Sequence, residues 1–108
     1  MPTQTDDLNE KVKRLEEHFA KATGCKVMSE WKVDLRSCRF YFENKDGQEW
    51  QYICDIYQGD IEELSVDVLI ALLEKAKWRQ VLQESAGKQV NGFKDGKFSI
   101  AREWPKLV

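Results

Sequence analysis

The sequence holds a single histidine, three cysteines and no apolar run longer than Val68–Leu73. Each shortage excludes something. The apolar run is far short of the roughly 20 residues that span a bilayer. The N-terminal stretch MPTQTDDLNEKVKRLEE is charged from Asp6 onward and has no segment resembling a signal peptide. Cys25, Cys38 and Cys54 are odd in number and lack CxxC spacing, so they suggest neither a disulfide framework nor a zinc site. These features together set the expectation of a cytoplasmic protein with no membrane contact.

Positive charge is also scarce where a nucleic-acid surface would need it. Residues 43–67 hold eight acids and one base, net −7, and residues 87–108 hold five bases and two acids, net +3. An acidic middle and a weakly basic tail give little attraction for phosphates.

What is present is a good supply of core material. Apolar residues make up 42% of the 108 residues, with five Phe, four Trp and three Tyr. That is enough for one packed domain, expected to span residues 1–108.

Residues 5–23 predict a helix, since Leu8, Val12, Leu15, Phe19 and Ala22 recur at spacings of 4, 3, 4 and 3. Thr5 or Asp6 suits its N-cap and Gly24 its C-terminal stop. Residues 25–57 predict three strands. Cys25, Val27, Ser29, Trp31 and Val33 share one face, as do Cys38, Phe40 and Phe42, and Trp50, Tyr52, Cys54 and Ile56. A three-residue loop Lys45–Gly47 would pair Phe42 with Trp50, Phe40 with Tyr52 and Cys38 with Cys54. The first hairpin would place Trp31 opposite Phe40.

Residues 64–84 predict a second helix, capped by Ser65 and ended by Gly87. The tail repeats the turn sequence Lys-Asp-Gly, which predicts strands over Gln89–Phe93 and Lys97–Arg102. The expected architecture is α+β: an antiparallel three-stranded meander, extended by a C-terminal hairpin, with two helices on one face in the order α-β-β-β-α-(β-β). The order α-β-β-β-α alone is shared with double-stranded RNA-binding domains. Their phosphate-gripping lysines would fall in GDIEELSVDV, which is acidic and apolar. The longer order resembles that of the small acidic chaperones of type III secretion, which are dimers; the resemblance is one of element order only.

No constellation of residues suggests catalysis, so no enzyme activity and no cofactor or metal is expected. His18 lies off the apolar stripe of its helix beside Glu16 and Glu17, which predicts a solvent-facing side chain. Cys38 and Cys54 are expected to be reduced core thiols. Asp60, Glu62, Glu63 and Asp67 fall where the start of a helix favours negative charge.

The second helix is more apolar than one buried face requires: seven of the eight residues Val66–Leu73 are apolar. On a continuous helix, Val66, Leu69, Ile70, Leu72, Leu73 and Ala76 form one face. Val68, Ala71, Trp78 and Leu82 form a second stripe. Either the tail covers that stripe with Phe93, Phe98, Ile100 and Trp104, or a partner does. The resulting expectation is a small non-enzymatic protein–protein interaction module: a regulator, adaptor or chaperone-like protein. Its interface candidates are Val68, Ala71, Trp78, Leu82, Phe93 and Trp104, with a protein partner or a second copy as occupant. The alternative is a single-stranded nucleic-acid-binding module using Tyr41 and Tyr57, on the second sheet face, with the basic tail. Acidic Glu30, Glu43, Glu49 and Asp55 share that face.

Overall fold

The structure, a computed structural model, describes the backbone of residues 4–43, 50–85 and 89–103, and side chains within 8–43, 51–85 and 90–98. It is an α+β fold. Helix α1 (Gln4–Thr23) leads to β1 (Val27–Lys32), a single 3-10 turn (Val33–Leu35), β2 (Ser37–Glu43) and β3 (Trp50–Tyr57). Three short helices follow, α2 (Gln58–Glu63), α3 (Val66–Lys75) and α4 (Trp78–Glu84), and then β4 (Gln89–Lys94) and β5 (Lys97–Glu103).

Helix α1 forms where its stripe predicts. Val12, Leu15 and Phe19 are buried, with Leu8 and Ala22 packed at the margin. It stops at Gly24, which takes φ +74 and donates its N–H to the Ala20 carbonyl at 2.8 Å. That positive φ is the usual helix-ending conformation of a glycine. Ser65 caps α3 as expected, its hydroxyl accepting the Val68 N–H at 3.2 Å. The expected Thr5 or Asp6 cap, the Lys45–Gly47 loop and the Gly87 stop lie outside the residues whose side chains or backbone are described.

Among the described residues the sheet has five strands in the order β1-β2-β3-β4-β5, and it is mixed. β1–β2, β2–β3 and β4–β5 are antiparallel, but β3–β4 is parallel. The expected antiparallel sheet is therefore corrected at this one joint. The reason is the helical segment between β3 and β4, which carries the chain back to the end where β3 began before β4 starts. The tail hairpin closes tightly, with Asp95 at φ 52 and Gly96 at φ 79 between paired Lys94 and Lys97. Both residues at positive φ is the two-residue geometry that a right-twisted hairpin favours.

Both register expectations are off by two residues. Trp31 pairs with Cys38 rather than Phe40, because the 3-10 turn and left-handed Arg36 (φ 52) reverse the chain one residue early. Phe40 pairs with Cys54 and Phe42 with Tyr52, and a bulge falls before the Glu43–Trp50 pair. A slip of two keeps every side chain on its face, which is why the predicted core survives the error.

Helices α1, α2, α3 and α4 pack on the face that carries Cys38, Phe40, Phe42, Cys54, Ile56 and Phe93. Two polar tethers fix the returning chain. The Asp60 carboxylate accepts the Asp95 N–H at 2.9 Å, so this acid anchors the tail turn. Lys11 on α1 donates from Nζ to the carbonyls of Ile61 and Leu64, at 2.9 and 3.1 Å, satisfying the end of α2.

Cys38 and Cys54 are both free and buried, and they lie diagonally across the β2–β3 pair instead of face to face. Burial pushes the Cys38 thiol up to about 12 and raises that of Cys54 as well. Both are therefore neutral at pH 8. An aromatic disulfide reagent at pH 8 is expected to give no fast reaction at either, and three thiols after denaturation. Because the folded thiols ionise later than unfolded ones at about 8.5, folding stability is expected to fall as the pH rises above that value. Urea midpoints measured from pH 7 to pH 10 check this. A midpoint that holds steady for wild type while falling in a Cys38→Ala, Cys54→Ala protein would contradict it.

Candidate interaction surfaces

The continuous helix that grouped Val68, Ala71, Trp78 and Leu82 does not exist. It breaks at Lys77, whose φ of 58 and ψ of 51 are left-handed. The Lys77 N–H turns back to the Glu74 carbonyl at 3.0 Å, and α4 starts in a new direction. That reset turns Trp78 inward to 1% exposure and buries Leu82. The Trp78 ring lies 5.0 Å from that of Phe19 and 6.3 Å from that of Phe42, and its N–H donates to Glu74 at 3.0 Å. Phe93 is buried in the same core, with Phe98 packed against it. Trp78, Leu82 and Phe93 are thus buried in the core of the chain. Trp104 and the Ile100 side chain lie outside the described residues.

Val68 and Ala71 remain exposed, Val68 at 45%. With half-buried Leu72 and exposed Lys75 they follow the spacing of one helical face, the outer face of α3. Leu72 lies beside the tail turn, its Cδ2 3.6 Å from where a β-carbon on Gly96 would stand. The same helix buries Val66, Leu69 and Leu73 on its inner side. The apolar excess of α3 is therefore spent on two sides, core and solvent.

A second exposed region was not predicted. Among the described residues β1 is an edge strand of the sheet, and Met28 on it is 47% exposed. Val27 and Trp31, on the core side of the same strand, are only partly buried. The signal was available, since the first strand of a meander is an edge unless a later strand returns to it.

The outer sheet face differs from its expected role. Arg39 forms a two-pronged ion pair with Asp55, at 2.7 and 3.0 Å, and both are buried. The Asp55 carboxylate raises the Arg39 pKa. Ile53 and Val90 are also buried on this face. Tyr41 and Tyr57 are half-buried, and Lys94 stacks on the Tyr57 ring at 4.5 Å. Arg39 is thereby spent on a carboxylate and adds no net positive potential to the face.

His18 is not directed at solvent as expected. It is half-buried between α1 and the α3–α4 corner, its ring 6.3 Å from that of Trp78. Its Nε2 lies 3.6 Å from Glu74 Oε1, beyond hydrogen-bond distance, and is enclosed. A hollow of about 270 Å³ lies between Cys25, Gln51, Tyr52, Trp78, Arg79 and Gln83. Neither His18, Asp60 nor Glu63 lines it. Among the described residues no group of His, Cys, Asp and Glu is arranged to hold a metal ion, and no helix is long and apolar enough to cross a membrane.

Compared with protein-family models, with curated proteins and with solved structures, the chain matches none. The surfaces described above therefore carry the functional reading.

Proposed function

We propose that this chain is a small non-enzymatic protein–protein interaction module, and that the outer face of α3 receives its partner. The observation that carries this reading is the exposure of Val68 and Ala71 on a helix whose inner side already fills the core. Leaving them wet gives up burial energy, which for a side chain as large as Val68 is about 1 kcal/mol or more. A partner helix or loop laid along Val68, Ala71, Leu72 and Lys75 would recover it. The groups that chemistry would draw on have structural tasks. Asp60 holds the tail turn, Asp55 is paired, and the Cys38 and Cys54 thiols are kept neutral by burial.

The test compares capture from the native host by wild type and by Val68→Glu, Ala71→Glu. Both positions are exposed, so the variant is expected to melt within a few degrees of wild type. It is expected to lose a protein that the wild type retains. Identical captured proteins with intact folding would show that α3 is not the face used.

A further inference from the structure

We infer that β1 pairs with β1 of a second copy of this chain, antiparallel, across a two-fold axis at Met28. This goes beyond the α3 reading and involves a different surface. The argument begins with the backbone. The Glu43 N–H donates to the Lys26 carbonyl at 2.8 Å, so Lys26 and Glu43 form a hydrogen-bonded pair. In an antiparallel ladder such pairs alternate, so the peptide groups of Lys26, Met28, Glu30 and Lys32 point toward β2. Those of Val27, Ser29 and Trp31 point outward, and no strand among the described residues meets them. Such an edge is a template for another strand.

Charge selects the register. Lys26, Met28, Glu30 and Lys32 share the outer side of β1. Edge charges usually keep strands apart, and here they do so for two of the central registers. Centring the axis on Ser29 sets Lys26 against Lys32 of the other copy. Centring it on Glu30 sets Glu30 against itself. Centring it on Met28 sets Lys26 against Glu30, twice by symmetry, with Met28 against Met28 between them.

That register also satisfies the backbone. Val27 faces Ser29 of the other copy, twice, as hydrogen-bonded pairs made from the outward groups. Met28 falls at a non-hydrogen-bonded pair, where side chains approach most closely. Among the described residues Met28 is the largest exposed apolar side chain on the sheet, and Val27 and Trp31 are left partly uncovered at the same edge. Pairing covers all three. Glu30 now contacts Lys32 on its own strand, and in the pair it gains Lys26 as a second cation.

The test is sedimentation of the full chain over a range of concentrations, for wild type, Lys26→Glu, Glu30→Lys and the double variant. Wild type is expected to be a dimer in equilibrium with monomer. Each single change sets like charges opposite each other at two symmetric places and is expected to weaken the dimer about tenfold. The double variant reverses both charges, restores the opposite pairing and is expected to recover wild-type association. Val68→Glu, Ala71→Glu is expected to leave the dimer intact, which separates this surface from α3. A wild type that stays monomeric, or a dimer indifferent to the single reversals, overturns the proposal. So does a double variant that is as weak as the singles.

Discussion

Trp78→Ala is expected to lower the stability of the protein by about 3–5 kcal/mol, and Trp78→Glu to unfold it. Trp78 is 1% exposed and is among the largest fully buried side chains. Its ring meets Phe19 from α1 and Phe42 from β2, so it joins the helical layer to the sheet. Truncation removes that contact and the hydrogen bond from the ring N–H to the Glu74 carboxylate. A buried glutamate adds an unpaired charge to the cavity. A domain of this size has only about 5–15 kcal/mol of stability in total. Urea denaturation followed by far-UV circular dichroism measures the effect. An alanine variant within about 1 kcal/mol of wild type would mean that Trp78 is not core.

The second large effect is expected on the opposite face of the sheet. Arg39→Met should cost about 3–5 kcal/mol, because it leaves the buried Asp55 carboxylate without its guanidinium. Arg39→Met, Asp55→Leu should recover most of that loss, since an apolar pair of similar volume removes the desolvation cost of both charges. The comparison needs both proteins, because the single change measures the stranded charge and the double change measures the pair. If the double variant is no more stable than the single, then the ion pair itself stabilises the fold through contacts its apolar replacement cannot supply.

These two sites also show what could and could not be seen in the sequence. The stripe of α1 and the core faces of β1, β2 and β3 were legible, because periodicity of 3.6 and of 2 survives a register slip of two. The Arg39–Asp55 pair was not. In the expected register Arg39 stood opposite Ile53, and only the observed register sets it opposite Asp55. The inward turn of Trp78 was hidden for a different reason. No glycine or proline marks the break, and a lysine in left-handed conformation costs roughly 1 kcal/mol that nothing in the sequence announces. The apolar pattern therefore read as one helix with two stripes. The parallel β3–β4 joint was equally silent, since pattern shows which face a strand buries but not which neighbour it takes.

That joint sets a threshold for the returning chain. Only three residue pairs link β3 to β4, starting with Cys54 and Asn91, which lie 37 residues apart (91 minus 54). Closing a loop of that length costs about 3 kcal/mol in chain entropy. Hydrogen bonds across three pairs return a similar amount at about 1 kcal/mol each. Backbone pairing alone thus only breaks even, and the margin has to come from side chains. Phe93 under the helices, Val90 on the far face and the Asp60 carboxylate on the Asp95 N–H are what make the last two strands part of the sheet and not a loose hairpin beside it.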